Sequence, residues 1–299
     1  MTVPLPLHED TITLADGRKL GWAEYGDPKG RPVLWFHGTP GARRQVPPDT
    51  GGAAAARGLR VLSVERPGAG WSTPYLYSSV RDWAGDIADY AAQLGLKRYA
   101  CMGLSGGGPW ALACAHQLPH QVAVAGILGG IGPTVGSEKA PGYTQNLGRV
   151  GPALRSIATP ASWVIGRVLS SVKPIAGPAG QLYARYGPLS DRPVLQNPAT
   201  LEVLIDSLVK GSEGDFRAPF YDLVLFAQPW GFLMQEINVP VRFWQGDADA
   251  IVPVSHADHQ ASLIPDAKVF HRPGVGHFAG YSDVGSVFSV LLETWQQAQ

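Results

Sequence analysis

The chain has 299 residues, enough for one large α/β domain with or without an inserted subdomain. An apolar fraction of 45% against 16% charged residues excludes a disordered chain. Lysines plus arginines equal aspartates plus glutamates, 24 of each, so the overall balance speaks for neither a nucleic-acid partner nor an anionic membrane surface.

Predicted elements alternate between apolar, β-branched runs and helical patterns. Thr11–Leu14 and Leu20–Tyr25 flank Asp16-Gly17, a hairpin turn signal. Pro32–Phe36 is a short apolar strand ending at His37-Gly38. Leu59–Val64 is another, ending in the breakers Arg66-Pro67-Gly68-Ala69-Gly70. Val80, Trp83, Ile87, Tyr90 and Leu94 recur at spacings of three and four and predict a helix over 80–94. Strand Tyr99–Leu104, helix Gly107–Gln117 and strand Val122–Leu128 follow. After 237 come the strand Val241–Trp244, a helix Val254–Leu263, the strand Lys268–His271 and a last helix Val284–Gln296. Strands alternating with helices mean βαβ units and a parallel sheet covered on both faces.

The stretch 134–237 breaks that rhythm. It is rich in Gly and Pro, shows helical patterns at Pro160–Val172 and Thr200–Val209, and has no clear strand. It is expected to be a helical cap, with 1–133 and 238–299 forming the core. Its Trp163, Phe216, Phe220, Tyr221, Phe226, Trp230, Phe232 and Met234 either line an apolar pocket, one or two of them, or pack the cap onto the sheet.

The N-terminal MTVPLPLHEDT lacks the basic and apolar regions of a signal peptide, and no apolar run approaches the roughly 20 residues of a membrane span. A cytoplasmic protein is the expectation. Cys101 and Cys114 lie in apolar stretches and are expected to be buried, reduced thiols.

Four motifs carry chemistry. Gly103-Leu104-Ser105-Gly106-Gly107 is a G-x-S-x-G between a strand and a helix, the setting in which a serine is exposed on a sharp, strained turn. His37-Gly38-Thr39-Pro40-Gly41 follows a strand and is placed to supply an oxyanion donor, the backbone N–H of Thr39, paired with that of Gly106. His37 itself reads as a residue fixing that loop. In Gly246–Pro253 two aspartates compete to orient a histidine, and Asp249 is favoured over Asp247 by its distance past the strand. His277 sits in the Gly-flanked loop Gly274–Phe278, beyond the last strand. No zinc or phosphate-loop motif occurs, and Gly130-Ile131-Gly132 lacks the third glycine of a dinucleotide fingerprint, so neither metal nor cofactor is implied.

Together these motifs resemble those of the α/β-hydrolase superfamily, in the branch of capped esterases, proline iminopeptidases, epoxide hydrolases and haloalkane dehalogenases. The Glu65–Ser72 turn, ERPGAGWS, belongs to the same likeness. The resemblance implies an eight-stranded, mostly parallel sheet with a cap after the sixth strand. It also implies a Ser105–His277–Asp249 triad. Ser105 stands where the epoxide hydrolases and dehalogenases carry an aspartate, which points to acyl transfer. Thr39 and Gly106 depart from the iminopeptidase pattern, which has HGGPG and a tryptophan after the serine. The expected activity is carboxylic ester hydrolysis of a small, partly apolar substrate. Peptidase, thioesterase, carbon–carbon hydrolase and lyase chemistry use the same triad, and a non-turnover receptor on this scaffold is the alternative of another class. The expected partner is a small molecule; the oligomeric state, monomer or homodimer, is left open.

Overall fold

The computed structural model describes residues 3–142, 147–171 and 175–298. Eight strands form one sheet: β1 (His8–Thr13), β2 (Lys19–Gly26), β3 (Arg31–Phe36), β4 (Leu59–Val64), β5 (Tyr99–Leu104), β6 (Val122–Leu128), β7 (Val241–Gly246) and β8 (Ala267–Arg272), in the order β1-β2-β4-β3-β5-β6-β7-β8. β1 pairs antiparallel with β2, and β2 antiparallel with β4; every other pairing is parallel. The eight-stranded, mostly parallel sheet expected from the sequence is therefore present.

Alternation along the strands divides the core between the two faces of the sheet. Leu34 and Phe36 of β3 join Leu62 and Val64 of β4 on one face, with Trp83, Ile87 and Tyr90 of α2 (Trp83–Gln93) and Trp110 of α3 (Gly108–Gln117). Val33, Trp35 and Val61 take the other face with Ala53 and Ala54 of α1 (Thr50–Ala55) and Val287, Phe288, Leu291 and Trp295 of α11 (Val284–Gln297). Helix α10 (Ser255–Leu263) packs on β7 and β8. Cys101 and Cys114 are free and buried.

Between β6 and β7 lies a helical insertion: α4 (Leu147–Ser156), α5 (Ala158–Ser171), α6 (Ala176–Tyr186), α7 (Arg192–Leu195), α8 (Pro198–Gly211) and α9 (Ala218–Phe226). The predicted helix over 160–172 corresponds to α5, although Val172 lies outside the described residues. That over 200–209 corresponds to α8, which starts earlier because Asn197 accepts the Ala199 N–H and Pro198 opens the helix. Among the described residues no helix is long and apolar enough to cross a membrane.

Several boundaries differ from expectation. Val80–Asp82 is a 3-10 turn leading into α2, set by Ser79, whose N–H and side chain engage Asp82. Ser105–Gly107 is likewise a 3-10 turn ahead of α3. Helix α10 begins at Ser255, one residue later than expected, and the Pro253 carbonyl ahead of it accepts the His256 N–H.

Candidate active site

The chain runs from β3 to β4 on one side and then returns to β5 on the other. Loops leaving the C-terminal ends of β3 and β5 therefore part there and leave a crevice. The loop after β3 and the turn after β5 meet at that crevice. Ser105 adopts φ 51°, a left-handed conformation rare for a side-chain-bearing residue, and this lifts it off the end of β5. The turn is so tight that a Cβ at Gly103 would fall 2.4 Å from the Gly107 carbonyl, and one at Gly107 would fall 2.1 Å from the Phe36 carbonyl. Glycine is required at both.

Ser105, His277 and Asp249 are brought into one hydrogen-bonded chain. The Ser105 hydroxyl lies 2.8 Å from His277 Nε2, and His277 Nδ1 lies 2.8 Å from Asp249 Oδ2. Asp249 is held on both oxygens: Oδ1 accepts the Ile251 and Val252 N–H groups at 2.8 Å each, and Oδ2 also accepts from Gln245 Nε2 at 2.8 Å. With Asp249 acceptor-only, the imidazole carries its proton on Nδ1 and leaves Nε2 free to accept from the serine. Asp247 points elsewhere; its Oδ1 accepts the Gly274 N–H and closes the histidine-bearing loop.

Thr39 and Gly106 are in contact across the crevice: a Cβ on Gly106 would sit 2.3 Å from Thr39 Oγ1. The Thr39 loop is braced from three directions. His37 is fully buried, accepts the Arg66 N–H on Nε2 and donates from Nδ1 to the Gly38 carbonyl. Burial and the Arg66 guanidinium hold its imidazole well below the usual histidine range, so it stays neutral. Gln45 accepts the Gly38 N–H at 2.6 Å and donates to the Pro40 carbonyl at 3.1 Å. From the insertion, Asp222 accepts from the Thr39 hydroxyl and pairs with Arg66 at 2.7 Å. Burial pushes the Asp222 carboxyl up against the opposing pull of Arg66.

The Glu65–Ser72 turn owes its composition to buried ions. Glu65 accepts Arg43 Nη1 at 2.7 Å and the Trp71 N–H at 2.8 Å. A Cβ at Gly70 would fall 2.0 Å from the Glu65 carboxylate.

Sequence reasoning missed Asp191, which comes from the insertion just before α7. It is fully buried against the histidine loop: a Cβ on Gly276 would sit 2.3 Å from its Oδ1, which also faces the Phe278 N–H at 3.4 Å. Its Oδ2 has no hydrogen-bond partner among the described residues. Burial raises its carboxyl above the usual range. Gln45 and Gln245 were missed as well. A lone glutamine or aspartate carries no periodic signal, whether in a loop, as Gln45 and Asp191 are, or at the end of a strand, as Gln245 is.

A cavity of about 330 Å³ opens over Ser105. Leu201, Leu204, Ile205 and Leu208 of α8 form one wall, with Gly180 and Tyr183 of α6 beside them. None of the eight large insertion residues singled out from the sequence lines it. Phe226, Trp230 and Met234 instead join the core around Trp110, Phe220 packs on α5, Phe232 stacks on His116, and Trp163 is exposed. Phe226 and Trp230 tie the insertion to the core of the sheet, and leucine and isoleucine shape the cavity. No Asp, Glu, Lys or Arg side chain lines this cavity. Among the described residues no group of three or more His, Cys, Asp or Glu side chains converges as a metal site requires.

No protein-family model matches the chain. It is 29% identical over 120 residues to a proline iminopeptidase of Neisseria meningitidis, a match covering 39% of this chain and 38% of that protein. The chain thus spans well under half the length of the curated iminopeptidases it matches first. It is 25% identical over 274 residues to a non-heme haloperoxidase of Rhodococcus erythropolis, covering 89% of this chain and 92% of the relative. Among solved structures it resembles an α/β-hydrolase fold protein from Nakamurella multipartita (TM-score 0.66, 23% identity, 98% and 100% of the two chains). An esterase from Rhodococcus sp. ECU1013 is as similar (TM-score 0.66, 23% identity, 97% and 99%). By its sheet order, its helical insertion and these likenesses, the chain has the α/β-hydrolase fold.

Proposed function

We propose that the protein is a serine hydrolase that cleaves uncharged, partly apolar carboxylic esters through an acyl-enzyme. The observation that carries this reading is the unbroken hydrogen-bond chain from Ser105 through His277 to Asp249 at the floor of an apolar cavity. Ser105 Oγ attacks the ester carbonyl carbon as His277 Nε2 takes its proton. Asp249 stabilises the imidazolium that forms. The N–H groups of Thr39 and Gly106 receive the oxyanion, one such donor being worth about 3–4 kcal/mol of transition-state stabilisation. His277 returns the proton to the leaving alkoxide, and the alcohol departs. Water then attacks the acyl-enzyme by the same route and releases the acid. Residues 134–237 act as the cap in this reading, with 1–133 and 238–299 as the core.

Peptidase activity is the second reading, because the first relatives by sequence are proline iminopeptidases. An N-terminal ammonium in the cavity would need a carboxylate partner. Neither Asp nor Glu lines the cavity, which favours the ester. Comparing p-nitrophenyl butyrate with prolyl-p-nitroanilide decides between them. The ester reading predicts turnover of the first and none of the second; the opposite result would replace it.

A further inference from the structure

The chain's charges balance overall but are not evenly spread. Residues 139–190 contain six lysines and arginines and neither Asp nor Glu, and the rest of the chain carries the matching excess of acids. This stretch supplies α4, α5 and α6.

Helices α5 and α6 leave exposed several large apolar residues of the kind an amphipathic helix usually turns inward. Among the α5 side chains that are described, the fully buried positions are the small Ala158, Ser162 and Gly166, with Ile165 partly buried against the Ala158, Phe220 and Val224 cluster. Gly166 is pressed so closely on the Asp215 carbonyl that a Cβ would fall 2.0 Å from it. The outward face carries Trp163, Val164 and Val168, each about half exposed, with the Arg167 guanidinium 4.9 Å over the Trp163 ring. On α6 the buried positions are Ala176 and Ala184, while Leu182 and Tyr186 are 60% and 65% exposed beside the exposed Arg185. Exposed apolar side chains interleaved with cations only are what an anionic lipid interface accommodates: the apolar groups enter the acyl boundary and the cations meet headgroup phosphates.

We infer that the outward faces of α5 and α6 dock this protein on an anionic bilayer surface. A second copy is the less suitable occupant, since a twofold contact through this face would set two acid-free, cationic stretches against each other. The docking face also borders the cavity. Ala179 and Tyr183 of α6 line it and are themselves exposed, so they form its rim. An apolar ester held at the membrane surface would enter there. That consequence rests on the hydrolase reading; the docking does not.

The test is co-sedimentation of the full chain carrying Ser105→Ala, so that no lipid is consumed, with vesicles of phosphatidylcholine alone or mixed with phosphatidylglycerol. Binding to the mixed vesicles, weakened by 0.5 M salt, is expected. The pairs Val164→Ser with Val168→Ser, and Arg167→Glu with Arg185→Glu, each lower it about tenfold or more while the circular dichroism and Tm stay unchanged. Protein that remains in the supernatant with both vesicle types overturns the proposal, as does binding that either pair leaves intact. A dimer that these substitutions dissociate, without vesicle binding, assigns the face to a second copy and equally overturns it. Loss of hydrolysis in Ser105→Ala is scored separately, so the two readings fail independently.

Discussion

Asp222, carried by α9 of the insertion, accepts a hydrogen bond from Thr39, near the start of the loop that follows β3. The same carboxylate pairs with the buried Arg66, an ionic contact between insertion and core beneath the crevice. Asp222→Ala strands the guanidinium and is expected to cost about 3–5 kcal/mol of stability. Asp222→Asn keeps an acceptor for Thr39 and costs less. Urea denaturation of the three proteins measures both.

In the proposed mechanism Asp249 sets the tautomer of His277, and Asp249→Asn, by presenting an amide N–H to Nδ1, moves the proton to Nε2 and deprives Ser105 of its base. The expected loss in kcat is about 10⁴-fold with KM little changed. Steady-state kinetics on p-nitrophenyl butyrate provide the comparison.

Asp191 holds the histidine loop from the insertion side through the Phe278 N–H and the Gly276 backbone. Asp191→Ala is expected to lower kcat about 10- to 100-fold with KM nearly constant, because His277 loses its register with Ser105. Asp191→Asn retains the acceptor and restores most of the loss. If both variants change only Tm, Asp191 serves stability alone.

Acid should destabilise the fold through its buried neutral histidines. His256 accepts the Gly132 N–H on Nδ1, and burial, aided by His259, lowers its pKa to about 4. The unfolded chain takes up that proton near pH 6.5, so the contribution is complete above about 6.5 and is lost as pH falls towards about 4. Gln at 256 can accept the same N–H but does not titrate. The Tm advantage of the wild type over His256→Gln should therefore shrink between pH 7 and pH 4; a constant difference would contradict the assignment.

The cavity wall on α8 should set acyl-chain preference. Leu204→Trp fills apolar space, and a hydrophobic pocket discriminates by roughly 1–3 kcal/mol per methylene. The kcat/KM for p-nitrophenyl hexanoate should fall at least about tenfold relative to the acetate. Equal losses on both esters would place the acyl group elsewhere.

The central parallel strands and the motifs at their ends were legible because they are buried, apolar runs broken by glycine, each with a local sequence signature. The first half of β1 is not legible, since His8-Glu9-Asp10 is polar throughout and offers no apolar alternation in the sequence. Helix α1 was invisible: TGGAAA has poor helix propensity and is held by packing of Ala53 and Ala54. The cavity lining is not legible, because residue size alone does not separate aromatics that pack the insertion from side chains that face a cavity. Asp191, Asp222, Gln45 and Gln245 act through contacts that no periodicity announces. Charge segregation in 139–190 was hidden by a balanced total.

The most direct test of the central claim is p-nitrophenyl butyrate hydrolysis by the wild type and by Ser105→Ala, both shown to be folded. A wild type that turns over the ester, and a variant slower by at least about a thousandfold, is the predicted result. Equal turnover in both would contradict Ser105 as the nucleophile, and a folded wild type without turnover would contradict the esterase reading itself.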